Sequence, residues 1–145
     1  MTRDERGTAI VEFVWLAILL LVPLLYVVLA VFETQRAAYA ASAAARSATR
    51  AYVTSPDQVT ASERARAAAA LAFRDQGIEA ADFELRLSCR PDPTACLSAG
   101  SVVVVEISSA VALPLVPTAL GDNTPSIHID ARHQSPYGQF RESRP

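Results

Sequence analysis

The pattern of hydrophobic and polar positions divides the chain into a long apolar run, a helical stretch and a region of strand-like alternation. The apolar run, residues 13–32, contains 20 residues and no charge. A helix of that length is about 30 Å long, which matches the hydrocarbon core of a bilayer. Small residues then recur at spacings of three and four, so we expect the helix to continue to about Val53 and to end before Ser55-Pro56-Asp57. The pattern predicts a transmembrane segment that continues into a long helix.

A second helix is predicted from about Ala61 to Gln76. Thr60 and Glu63 have the spacing of a capping box at its start, and Gly77 is expected to end it in a left-handed conformation. Its apolar face consists mostly of alanine and is completed by two larger side chains, Leu71 and Phe73.

Three strands are predicted beyond this helix. Apolar and polar residues alternate from Phe83 to Ser88, which is typical of a half-buried strand. The segment from Ser101 to Val111 is rich in valine and apolar on both faces in its first half, so we expect it to be the central strand. A third strand is expected near Ser126 to Arg132. The predicted fold class is therefore α+β, with an N-terminal transmembrane helix continuing into a long helix, a second helix and a small antiparallel sheet of about three strands.

These elements give a simple domain organisation. Residues 1–7 form a leader, residues 8–54 form the transmembrane segment and its helical extension, and residues 56–134 form a small α+β domain outside the cytoplasm. Residues 135–145 are polar and are expected to be a flexible tail. A chain of 145 residues with this organisation can bury only a modest core.

Composition argues against several classes of function. The net charge is −2 and the 13 basic residues are all arginine and scattered, so we expect no nucleic-acid partner. The sequence contains no nucleophile elbow, phosphate-binding glycine loop or helical zinc motif. We therefore predict no enzymatic activity, no cofactor and no small-molecule substrate. His128 and His133 would lie on opposite faces of a regular strand, so we expect no metal site there either.

Glu12 is the acid at the border of the apolar run, where a carboxylate is costly and calls for a reason. If the chain were cut after Gly7, Thr8 would carry a new amino terminus and Glu12 would be the fifth residue, one helical turn further on the same face. Two interpretations of Glu12 stay open. The negative charge of Glu12 is offset by the amino terminus of its own helix, or it pairs with the Thr8 ammonium of a neighbouring subunit in an apolar helix bundle.

The arrangement resembles the TadE-like pseudopilins, or minor pilins, of the tight-adherence (Flp-type) pilus system, a branch of the type IV pilin superfamily. The resemblance covers most of the chain, and it is carried by Gly7, Val11-Glu12-Phe13, the span with Pro23, the segment Ala43-Ala44-Ala45-Arg46-Ser47-Ala48-Thr49-Arg50, Leu113-Pro114-Leu115 and Ala131-Arg132. It implies processing by a prepilin peptidase between Gly7 and Thr8, and an assembly role for Glu12 and Phe13. The implied partners are other pilins, the pilus assembly platform and membrane lipid. The implied location is the cytoplasmic membrane, with the N-terminus inside, the C-terminal domain outside and incorporation into a surface pilus.

Two other fates of the N-terminal segment remain open. Ala38-Tyr39-Ala40 has the small residues of a signal-peptidase site, although the apolar run is longer than that of a usual signal peptide, and an uncut signal anchor is the second alternative. Arginine counts on the two sides of the run do not decide its orientation.

Two features of the first helix also have two interpretations each. Pro23 either bends the helix harmlessly or, as the resemblance implies, loosens it for extraction from the bilayer into a filament. The helical extension carries a stripe of small residues, which either packs on the chain's own domain or packs between subunits of a filament; the stripe consists of Ala37, Ala41, Ala44, Ala48 and Ala51.

Cys89 and Cys96 are the two cysteines of the chain and close a short proline-containing loop at the end of a predicted strand. We expect a disulfide, which would place the domain outside the cytoplasm. Two functions are carried forward: a minor pilin or pseudopilin that takes part in pilus assembly, and a single-pass anchored domain that binds an envelope ligand and never enters a filament.

Overall fold

A computed structural model describes residues 8–78, 83–112 and 126–144 of the chain. The leader and the segment Leu113-Pro114-Leu115 lie outside these residues. The described elements, in chain order, are α1 (Thr8–Val53), α2 (Gln58–Asp75), β1 (Phe83–Arg90), β2 (Val102–Ala112) and β3 (Ser126–Pro136). The predicted α+β fold, with a long apolar N-terminal helix, a second helix and a three-stranded antiparallel sheet, is confirmed.

The two helices form an antiparallel hairpin joined by a short turn. Helix α1 ends at Val53, as predicted, and the amide of Ser55 donates to the carbonyl of Tyr52 in the turn. The predicted capping box at Thr60 was wrong, because α2 begins earlier and Asp57 is its N-cap. One carboxylate oxygen of Asp57 accepts from the Thr60 amide and the other accepts from the Thr60 hydroxyl, each at 2.8 Å. These bonds satisfy a free amide of the first turn.

Helix α2 packs on α1 mainly through alanine. Its buried alanines recur every three or four residues along one face, at positions 61, 65, 69 and 72. Phe73 is buried among them and stacks on Phe83 of β1 with ring centroids 5.2 Å apart. Leu71, expected to be a second anchor, is instead 56% exposed. Gly77 has a φ of +68°, which confirms the left-handed residue predicted after this helix.

The sheet has the order β1-β2-β3, so the valine-rich strand is central, as predicted. Val103, Val105 and Ile107 of β2 face the helices and are buried, because their side chains alternate with those on the outer face. Strand β3 continues four residues beyond the predicted limit and pairs with the whole length of β2.

The stripe of small residues on α1 forms the centre of the hydrophobic core. Ala37, Ala41, Ala44 and Ala48 are at most 1% exposed, and Ala51 is half-buried. Helix α1 contacts α2, β2 and β3. Small side chains allow this close approach of the two helices and the sheet. Of the two interpretations of the stripe, packing on the chain's own domain is the one observed.

The last described residues fasten the folded domain to the C-terminal end of α1. Tyr137 is 2% exposed, and its hydroxyl donates to the carbonyl of Glu142 at 2.9 Å. The guanidinium groups of Arg141 and Arg144 donate to the carbonyls of Val53 and Ser55, at 2.9 and 2.8 Å respectively. We call residues 137–144 the C-terminal clasp. From the sequence we predicted a folded domain that ends at residue 134 and a flexible tail at 135–145. In the structure, β3 continues to Pro136 and the clasp extends the fold to Arg144.

Candidate functional site: the membrane segment and its domain

The N-terminal half of α1 is an apolar rod with no protein cover in the described structure. Phe13 is 72% exposed, and the large apolar side chains from Ile10 to Phe32 are exposed along the whole run. Within the described residues, α1 is the one helix long and apolar enough to cross a membrane. The structure is therefore consistent with a single-pass membrane anchor.

Glu12 and Phe13 lie in the second turn of α1 and both are exposed. Among the described residues, no basic side chain forms an ion pair with Glu12. Thr8 begins the described helix, one turn before Glu12, while Gly7 lies outside the described residues. Residues four apart lie on one helix face, so Thr8 and Glu12 share a face of α1.

Pro23 lies inside α1 and the helix continues on both sides of it. Proline has no amide hydrogen, so the carbonyl of Leu19 loses its usual helical donor. The helix thus has a weakened hydrogen-bond ladder near the middle of its apolar run. Whether this produces a bend or a functional loosening stays a prediction.

The charged boundary of the apolar run is formed by two residues of α1. Arg36 donates to Glu33 at 2.6 Å, one turn beyond Phe32. Ala37, the next residue, is the first buried position of α1. The folded domain therefore begins directly where the apolar run ends, without a linker.

The cysteine pair closes the loop at the opposite end of the sheet. The sulfur atoms of Cys89 and Cys96 lie at disulfide distance, and their Cα atoms are 5.3 Å apart. Both cysteines are buried, and the neighbouring Leu97 is completely buried in the core. Thr94 in this loop accepts a hydrogen bond from the side chain of Gln58 at 3.0 Å. The bridge thus fixes a loop that contacts the start of α2.

The outer face of the sheet is polar and exposed around Glu106, while Val104 on the same face of β2 is buried. Glu106 of β2 faces Arg86 on one side and Arg132 on the other, and it forms an ion pair with Arg132 at 3.5 Å. The shallow depressions on this face are lined mainly by charged and polar residues. Exposed pairs of this kind contribute little stability, so this part of the face is a solvated polar surface.

The described residues hold no group of three or more side chains suited to bind a metal ion. His128 pairs with Ala110 and His133 with Val105, an odd separation along one strand, which places the two rings on opposite faces as predicted.

The C-terminal clasp is the structural site that sequence reasoning missed. The signal available in the sequence was weak: Tyr137 and Phe140 are two aromatic residues in a polar segment, and Gly138 between them adopts a φ of +104° in the structure. Arg141 lies over the Tyr137 ring, 4.6 Å from its centroid. The clasp therefore combines a buried ring, a cation–π contact and two charged donors to the end of α1.

Comparisons with known proteins identify no relative whose function could be transferred to this chain. No family model, no curated protein and no solved structure matches this chain.

Proposed function

We propose that this protein is a minor pilin or pseudopilin that takes part in assembly of a tight-adherence (Flp-type, type IV-like) pilus. The observation that carries the proposal is the division of α1 into two halves. The first half is an exposed apolar rod with one acid at its start, and the second half is buried in the protein's own small domain.

Such a rod needs an apolar environment along its whole length. The bilayer supplies one before assembly, and a bundle of similar rods from other subunits supplies one afterwards, because both remove the same side chains from water. The domain needs neither environment, since its core is closed by α2, the sheet and the clasp. The protein can therefore move from membrane to filament without refolding its domain.

Glu12 gives the rod a means of setting its register. In an apolar bundle, a carboxylate without a partner is strongly disfavoured, whereas one that meets an ammonium group is held in place even if desolvation cancels much of the attraction. Cleavage after Gly7 would create that ammonium at Thr8. In this proposal the leader is removed by a prepilin peptidase, and the domain lies outside the cytoplasmic membrane.

The first experiment is N-terminal sequencing and intact mass measurement of the protein from its native host. The expected mature chain begins at Thr8. A chain that begins at Met1 or beyond Ala40 would contradict the proposal and favour an uncut anchor or a conventional signal peptide.

The second experiment compares Glu12→Gln with Glu33→Gln. Both variants remove one carboxylate from α1, but Glu33 lies beyond the apolar run and pairs with Arg36 of its own chain. We expect both variants to insert and to be cut after Gly7. Glu12→Gln should then fail to co-purify with the partner pilins and should reduce surface pili, while Glu33→Gln behaves like the wild type.

Normal pilus numbers and partner recovery with Glu12→Gln would remove Glu12 from the assembly machinery. Together with an uncut leader, that result would favour the anchored domain that never enters a filament.

A further inference from the structure

We propose that the end of the domain nearest the apolar run rests on the phospholipid headgroups, so that the sheet contacts the bilayer surface as well as the span. This inference rests on membrane anchoring by α1, and it adds a second contact with the membrane through the folded domain.

The first support is the short distance between the apolar run and the domain. Phe32 ends the run, and Ala37 is already buried in the core. Five residues of helix rise about 7.5 Å. The headgroup layer on each side of a bilayer is about 5 to 8 Å thick. The lower limit of the core therefore lies at the outer surface of that layer.

The second support is the set of elements found at this level. Helix α2 runs back toward the membrane, and a Cβ atom at Gly77 would lie 3.9 Å from the guanidinium of Arg36. Phe83, the first residue of β1, stacks on Phe73 in the last turn of α2. Because the strands are antiparallel, the end of β2 and the start of β3 lie at this same end of the sheet. We call this part of the domain the span-proximal end.

The contacts of the clasp define the opposite end of the domain, which lies furthest from the apolar run. Val53 and Ser55, at the far end of α1, hold the clasp through Arg141 and Arg144. The sheet is thus oriented with its β3 start toward the bilayer and its β3 end away from it.

The third support is the exposed apolar surface at the span-proximal end. Tyr39 is 69% exposed and lies about 10 Å beyond Phe32 along α1. Ile127, the second residue of β3, is 36% exposed and shares the inner face of the sheet with Ile129 and Ala131, which are partly buried and pack against the core. The inner face therefore continues past the cover that the helices provide.

A tyrosine with an apolar ring and a polar tip suits the interface between lipid and water, and side chains on a helix point toward its N-terminus, which here is the membrane side. Ile127 extends the same contact away from the helix axis. With α1 and β3 both at the surface, the domain has a defined orientation relative to the bilayer.

The test uses tryptophan fluorescence in the full chain, reconstituted into phosphatidylethanolamine and phosphatidylglycerol vesicles that carry quenchers at a known depth. Trp15, the single native tryptophan, reports insertion of the span. In a Trp15→Phe background, Ile127→Trp and Tyr39→Trp report the span-proximal end. Phe140→Trp is the matched control, because Phe140 is a fully exposed aromatic residue in the clasp at the far end.

We expect a deep quencher to reduce the fluorescence of Trp15. A headgroup-level quencher should reduce that of Ile127→Trp and Tyr39→Trp and leave Phe140→Trp unchanged. Ser126→Trp, at the exposed neighbouring position, gives the same readout if Ile127→Trp does not fold.

Two results would overturn the inference, and they differ in what they leave standing. If Trp15 is quenched but the reporters at 126 and 127 behave like Phe140→Trp, the anchor is intact and the domain stands clear of the bilayer. If Trp15 itself is not quenched, the membrane anchoring on which the inference rests has failed.

Discussion

Replacing Tyr137 by alanine should destabilise the domain strongly, because this residue is the one clasp side chain that is fully buried. The Tyr137 ring is 2% exposed, its amide donates to Ser101 at 2.8 Å and its hydroxyl donates to Glu142. Burial of an aromatic side chain removes about 150 to 250 Å² from water, which sets an upper limit of about 4 to 6 kcal/mol at about 25 cal/mol per Å². Measured costs of removing buried aromatic rings begin at about 3 kcal/mol, and the edge of a small domain can partly collapse into the space. We therefore expect a loss of about 3 kcal/mol.

A loss of that size is a large part of the stability of a small domain. For a domain of this size it corresponds to a decrease in Tm of about 12 to 24 °C. The assay is thermal unfolding of the full chain in detergent, followed by near-ultraviolet circular dichroism, in which the buried Tyr52 remains as a reporter. Phe140→Ala is the matched control: it also removes an aromatic ring from the clasp, but Phe140 is fully exposed and its loss should leave the Tm unchanged.

Tyr137→Phe separates the ring from its hydroxyl. It keeps the burial and removes the hydrogen bond to Glu142, so the expected loss is about 1 kcal/mol. The reasoning would be refuted if Tyr137→Ala unfolds at the wild-type temperature, or if Phe140→Ala is equally destabilising. The first result would mean that the clasp does not hold the domain, and the second would mean that its contribution does not come from burial of the Tyr137 ring.

Two further predictions concern the disulfide and the cap of α2. In protein taken from cells and labelled without reductant, Cys89 and Cys96 should not react with thiol reagents, and a double serine variant should insert normally but lose about 2 to 3 kcal/mol, as expected for a short loop; full labelling of both cysteines would indicate a reduced pair. Hydrogen bonds from the Thr60 amide, which has the larger effect, and from the Thr60 hydroxyl hold the pKa of Asp57 below its usual value. Since the folded pKa is lowered, the ionised cap stabilises the fold above the unfolded pKa, and this contribution disappears as the pH falls through the folded value. Asp57→Asn should therefore flatten the acid limb of the Tm against pH curve, and an unchanged limb would contradict the assignment of Asp57 as the cap.

The elements of the fold could be predicted from sequence because each has a local period. Alanines at helical spacing predicted the extension of α1, and the alternation of apolar and polar residues predicted β1 and β3. The start of α2 was misplaced because Asp57 and Thr60 both suit an N-cap, and the choice between them depends on where the helix leaves its turn with α1. Leu71 was assigned to the core as a large apolar side chain of α2, but residues two apart do not share a helix face, so Leu71 lies away from the buried face that carries Phe73.

The clasp could not be predicted in the same way. Arg141 and Arg144 look like ordinary solvated charges in a polar segment, and their partners are backbone carbonyls of residues far away in the chain. Such contacts depend on the path of β3, which returns the chain to the end of α1. Glu12 raises a different difficulty, since a partner in another subunit would leave no trace in one chain. Its proposed role is inferred from its position in the apolar run and from the free-energy cost of a carboxylate there, and assembly experiments test it.

The clasp also determines when the domain can close during synthesis. Its donors lie 88 and 89 residues after the carbonyls that they bind, so the end of α1 remains unfastened until Arg141 and Arg144 have emerged. The apolar rod, in contrast, is complete after the first 32 residues and can enter the bilayer at once. In the proposed topology, the polypeptide beyond the rod would cross the membrane as an open chain, and it would fold on the far side when Tyr137, Arg141 and Arg144 arrive. The order of the sequence thus matches the order of the two tasks, with insertion first and closure last.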